Sequence, residues 1–69
     1  MTVLRINGED KHFENSLPAT LADLLDIMKV DAATVVAEID GQIIKKNDFS
    51  SAKLSAGQKI ELIRLVGGG

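Results

Sequence analysis

Three consecutive glycines, Gly67-Gly68-Gly69, close this chain, and they are the residues best placed to do chemistry. At a usual glycine frequency of about 7%, such an ending arises by chance roughly three times in ten thousand. A frayed terminus is one account of it, because chain ends are commonly poorly ordered. A cloning scar is another, but scars usually bring Ser, His or linker residues, and none stands here. The chemical account is an arm that ends in a reactive carboxylate. Glycine has no Cβ, so an extended glycine arm can thread a narrow channel and set its carboxyl against another protein's active site. A carboxylate is a poor acyl electrophile and needs activation, typically as an acyl-adenylate made with ATP. The activated carboxyl can then accept a nucleophile such as persulfide sulfur. Gly69 is therefore the candidate modified residue, with Gly67 and Gly68 as the segment that enters the partner.

Other chemistry is thinly supplied. The chain has no Cys and a single His, His12, which excludes a cysteine nucleophile, a disulfide framework and a zinc site built from Cys and His. His12 lies on an expected strand between Lys11 and Glu14 and reads as a solvent-facing residue. The carboxylates are scattered, and Glu9-Asp10 falls in a turn. A phosphate-binding glycine loop needs a strand before it and a helix after it, and nothing follows Gly69. No catalytic residues and no bound cofactor are expected.

With 8 basic and 10 acidic residues the formal charge is −2, and the two aromatics are Phe13 and Phe49. Neither a basic stripe nor a stacking surface for nucleic acid follows from that. No apolar run approaches the roughly 20 residues that span a bilayer, and Met1-Thr2-Val3-Leu4-Arg5 lacks the order of a signal peptide. The expectation is a soluble cytoplasmic protein that binds neither nucleic acid nor membrane.

The segments that must position the glycine arm follow from periodicity. Thr2 to Ile6 alternates and reads as a strand, and Asn7-Gly8 supplies a tight hairpin turn. Lys11 to Glu14 is the returning strand. Thr20 is a helix N-cap, with Asp23 completing a capping-box pattern. Leu21, Leu24, Leu25 and Met28 then recur at i, i+3, i+4 and i+7, one apolar stripe on a helix that ends near Lys29 or Val30. Thr34 to Ile39 is a strand with Val35, Ala37 and Ile39 on one side and Val36 and Glu38 on the other. Asp40-Gly41 turns it into a short strand over Gln42 to Ile44. Lys45 to Ser55 is a polar loop with one helical turn, tucking in Phe49, Ala52 and Leu54. Lys59 to Val66 is the last strand.

One helix and four to five strands make an α+β fold. The helix covers one sheet face, and the economical topology sets the first and last strands side by side, parallel, in the middle. That is the β-grasp, or ubiquitin-like, architecture. The domain is expected over residues 1–66, with 67–69 as a flexible tail. The last strand is apolar on both sides. Ile60 and Leu62 are assigned to the helix side with Leu4, Ile6, Leu24 and Leu25. Glu61, Ile63 and Leu65 are assigned to the open side, as the surface partners grip.

Over essentially its whole length the chain resembles the ThiS family, the sulfur carriers of thiamine thiazole biosynthesis within the wider ThiS/MoaD group. The resemblance is carried by Asn7-Gly8 and by Leu21-Ala22-Asp23-Leu24-Leu25. The hairpin Val36-Ala37-Glu38-Ile39-Asp40-Gly41-Gln42-Ile43-Ile44 carries it further, and the segment from Leu54 to Gly69 most of all. Gln58 stands where the family usually has Asp, and Asp40 where it usually has Asn. Both are turn positions.

The resemblance implies a recycled cosubstrate, not an enzyme. An E1-like, ThiF-like adenylyltransferase would consume ATP to adenylate Gly69. A sulfur donor fed by a cysteine desulfurase would convert it to a thiocarboxylate, and a ThiG-like thiazole synthase would take the sulfur. The free carrier is expected to be a monomer. The nearest alternative is the small subunit of molybdopterin synthase, whose chains are longer and often approach their Gly-Gly through prolines that are absent here. A ubiquitin-like binding module with an inert tail is the alternative of a different class.

Overall fold

The computed structural model describes residues 2–65 of the chain. Its elements in order are β1 (Thr2–Ile6), β2 (Glu9–Phe13), α1 (Leu21–Met28), β3 (Val35–Ile39), β4 (Gln42–Ile44) and β5 (Lys59–Arg64). Short 3₁₀ turns at Ala32–Thr34 and Lys46–Asp48 fill the connections, the second being the helical turn expected in the polar loop. The five strands form one mixed sheet in the order β2-β1-β5-β3-β4. β1 and β5 run parallel at its centre and the other pairs are antiparallel. This is the β-grasp arrangement anticipated from the element order.

Both hairpins turn on two residues with positive φ, Asn7 and Gly8 at 52° and 83°, Asp40 and Gly41 at 51° and 86°. Positive φ at both central positions is the type I′ requirement, and the twist of such turns matches that of the strands. Because the first turn needs only two residues, pairing resumes at once with Ile6 opposite Glu9. β2 thus begins two residues before the expected Lys11. Its first three residues are all charged and exposed, so no alternation marked them as strand. Charge on an edge strand also discourages pairing with another chain.

The start of α1 is held from outside the helix. The Leu21 N–H donates to the Ala52 carbonyl and the Ala22 N–H to the Phe49 carbonyl, each at 2.9 Å. The Asp23 N–H donates to Thr20 Oγ1 at 3.2 Å. These are amides a helix leaves unpaired at its first turn, and the loop after β4 supplies what the helix cannot. Thr20 is the N-cap as expected, while its own backbone pairs with Lys53 in an isolated bridge. No bond returns from Thr20 N–H to the Asp23 carboxylate, whose side chain is one methylene shorter than the Glu of a full capping box.

At the other end Lys29 sits in the left-handed region, φ 59° and ψ 41°. Its N–H donates to the Asp26 carbonyl, and the Val30 N–H donates to the Leu25 carbonyl. That is a Schellman closure with lysine in the place glycine favours.

The core lies between α1 and one face of the sheet: Leu4, Ile6, Leu21, Leu24, Leu25, Val35, Ala37, Phe49 and Ile60. Phe49 is 4% exposed, so the loop closes one end of the core as well as bracing the helix. Ala52 and Leu54 pack partly against it, also as expected. Among the described residues no helix is long and apolar enough to cross a membrane.

The left-handed Lys29 generates the first prediction. A side chain there costs about 1 kcal/mol relative to glycine, because Cβ crowds the following carbonyl oxygen. Lys29→Gly should raise the free energy of unfolding by about that amount, whereas Lys29→Ala should leave it nearly unchanged. Denaturant melts of the three proteins decide it, and equal midpoints for Gly and Lys at this position would contradict the assignment.

Candidate docking face along the last strand

β5 holds its place through unequal partners. On one side it pairs with β3 over five residues, from Val35 opposite Arg64 to Ile39 opposite Ile60. On the other it pairs with β1 over two, Arg5 opposite Lys59 and Ile6 opposite Ile60. The Asn7-Gly8 turn then takes β1 away. Asn7 compensates: its N–H donates to the Ile60 carbonyl at 2.9 Å, and its Oδ1 accepts the Leu62 N–H at 2.7 Å. The amide side chain thereby adds one more rung to a ladder whose strand has already turned back.

Asp40 does the same from the β3 side, as its carboxylate accepts the Lys59 N–H at 2.9 Å and its own N–H donates to the Lys59 carbonyl at 2.7 Å. Gln58 braces the preceding turn through Oε1, which accepts the Ser55 N–H at 2.8 Å. The Gln58 bond stays within its own turn, whereas the Asp40 bond reaches across to β5. The Leu65 N–H donates to the Thr34 carbonyl at 2.7 Å, carrying the attachment one residue beyond the strand.

Alternation along β5 separates its two faces as the sequence predicts. Ile60 is fully buried against α1 and Leu62 packs partly into the same layer. Arg64 follows on that side, exposed where the core ends. Glu61 is half-buried on the opposite, open side. Ile63 and Leu65 lie on that side too, 50% and 53% exposed.

The strand register shows what surrounds them. Val36 stands opposite Ile63, Glu38 opposite Glu61, and Ile43 of β4 opposite Glu38. Ile43 is 68% exposed. The open face therefore carries an aliphatic patch of Val36, Ile43, Ile63 and Leu65 with two carboxylates beside it. On the β1–β2 side of the same face Arg5 pairs with Asp10 at 2.9 Å, an exposed ion pair of the kind that contributes little to stability. Val36, Glu38 and Ile43 were not among the expected site residues. Their parity was readable in the sequence, but their neighbours depend on which residue of β3 meets which residue of β5.

The remaining candidates bring no second centre together. His12 is exposed on β2, opposite Val3. A shallow depression of about 350 Å³ is lined by Ile6, Asn7, Glu9, Asp10, Lys11 and Met28. Among the described residues no group of three or more His, Cys, Asp or Glu side chains could hold a metal ion. Gly67, Gly68 and Gly69, the expected threading arm and modified residue, lie outside the described residues, as does Val66.

The Asn7 bond generates the second prediction. Asn7→Gly keeps the positive φ and removes the acceptor, so the Leu62 amide should exchange with solvent several-fold faster and the fold should lose about 1 kcal/mol. Asn7→Asp, which restores an oxygen at that place, should return both values toward the original. Unchanged Leu62 exchange in the glycine variant would mean that the side chain contributes nothing to holding β5.

Comparison with known proteins agrees with the geometry. The chain is 31% identical over 64 residues to the uncharacterised protein ycf40 of Trieres chinensis, covering 93% of this chain and 85% of that one. With the ycf40 protein of Porphyra purpurea it shares 32% over 66 residues, 96% and 90% of the two chains. The crystal structure of the thiamine biosynthesis protein ThiS from Geobacter metallireducens superposes with a TM-score of 0.84 at 25% identity, covering 97% of this chain and 99% of that one. The solution structure of a thiamine biosynthesis protein from the same organism gives 0.78 at 26% identity, over 100% and 88%. The family model matches residues 2–69, and the chain belongs to the ThiS family.

Proposed function

We propose that the protein is a sulfur carrier whose Gly69 carboxylate is the group that carries the sulfur. The observation that supports this most directly is the reach of the family match, which runs to Gly69 and so takes the three glycines into the family pattern. One oxygen of the Gly69 carboxylate attacks the α-phosphorus of ATP in a ThiF-like adenylating enzyme, and pyrophosphate leaves. A persulfide sulfur from a donor charged by a cysteine desulfurase attacks the acyl carbon, and AMP departs. A thiol then cleaves the sulfur–sulfur bond, leaving a thiocarboxylate on Gly69 and a disulfide on the donor side. A ThiG-like thiazole synthase receives the sulfur in exchange for an oxygen from water or from the sulfur acceptor, and the carboxylate returns for another cycle. The protein acts throughout as a cosubstrate, and the catalytic groups belong to its partners.

Within this scheme the domain is a handle. Glu61, Ile63 and Leu65 stand immediately before the arm, on the side that α1 leaves uncovered, so a partner that grips Gly67 and Gly68 meets them first. The similar solved structures are thiamine biosynthesis proteins, which favours the thiazole pathway over molybdenum cofactor assembly.

Incubation with a ThiF-like enzyme, ATP and a persulfide donor, followed by intact mass measurement, tests the reading. Wild type should exchange one oxygen for sulfur at Gly69, and a chain with one residue added after Gly69 should not. Ile63→Asp should remain folded and react far more slowly, since aliphatic contacts on such a face cost on the order of 1–2 kcal/mol each when lost. Leu62→Asp should unfold instead. An unchanged wild-type mass beside an active enzyme would defeat the carrier reading, and an unfolded Ile63→Asp with a tolerated Leu62→Asp would reverse the two faces.

A further inference from the structure

We infer that the partner docking on the open face brings a cation, best an arginine, to the Glu38–Glu61 pair while its aliphatic surface covers Val36, Ile43, Ile63 and Leu65. This rests on the carrier reading and adds what that reading leaves open, the chemistry of the partner's contact surface. Glu38 and Glu61 are directly opposite in the β3–β5 register. Residues so placed in an antiparallel pair have Cβ atoms about 5 Å apart, and like charges there oppose each other. Neither carboxylate takes a hydrogen bond or ion pair from the described residues. Arg5, on the same face, is engaged by Asp10 at 2.9 Å. Lys59 precedes Glu61 by two residues on that face and makes no ion pair among the described residues.

The isolated protein thus keeps two facing carboxylates beside an exposed aliphatic patch. A guanidinium spans two such carboxylates with its fork of donors, and covering the patch lowers the dielectric around that contact. The same charges argue against a second copy of the chain as the occupant. A two-fold pairing through this face is self-complementary, so it would bring four carboxylates together with one Lys59 from each copy to meet them.

The test is the double variant Glu38→Gln with Glu61→Gln, measured for stability and for binding to a ThiF-like adenylating enzyme at low and high salt. The variant should melt at the same or a higher temperature, since a repulsion is removed. It should bind on the order of tenfold more weakly at low salt and lose most of the salt dependence that wild type shows. A folded variant that binds as tightly as wild type, with the same salt dependence, overturns the inference while adenylated wild type leaves the carrier reading standing. Wild type that is not adenylated defeats both. A wild-type dimer that Ile63→Asp dissolves would make a second copy the occupant and also overturn it.

Discussion

A helix of eight residues has to cover a sheet of five strands, and it can reach only one of the two faces. Much of the remaining architecture follows from that limit. The core is a single layer of aliphatic side chains under α1, closed at one end by Phe49 from the loop after β4. The same loop supplies carbonyls to the first amides of the helix, so one segment both closes the core and caps the helix. The central strand, packed below and bare above, has to carry apolar residues on one side for the fold. Those on its other side, Ile63 and Leu65, stay half exposed to solvent.

That strand lies between β1 and β3, and the hairpin turns do part of the holding. Asn7 and Asp40 each occupy a positive-φ position that asparagine and aspartate tolerate better than most residues. Each then spends its side-chain oxygen on an amide of β5. A hairpin requirement and a tertiary bond are met by one residue type at each turn. In the proposed function this rigidity has a use, because an arm presented to a partner's active site is only as well aimed as the strand from which it leaves.

Much of this was legible in the residues. The Asn-Gly and Asp-Gly turns, the i, i+3, i+4, i+7 stripe of α1 and the two-sided last strand each follow from a strong local rule, and each was found where expected. The parallel pairing of β1 with β5 followed from having one helix to bury and one crossover to make. Less was readable where local signals vanish. The start of β2 is three charged residues, without alternation to mark it. The bond from Asn7 to Leu62 joins residues far apart in sequence and depends on where β1 ends beside β5. Val36, Glu38 and Ile43 became part of the candidate face only through register, which alternation alone does not determine. The arm itself, Gly67 to Gly69, was legible as composition and as family pattern.

The central claim is that partners take hold of the protein by its open sheet face, and methyl-resolved NMR tests it most directly. Titrating a ThiF-like adenylating enzyme into methyl-labelled protein should shift or broaden Val36, Ile43, Ile63 and Leu65. The methyls under the helix, Leu4, Leu21, Leu24 and Leu25, should stay in place. Perturbations gathered instead on exposed Ile27 of α1, with Ile63 and Leu65 unmoved, would contradict the account.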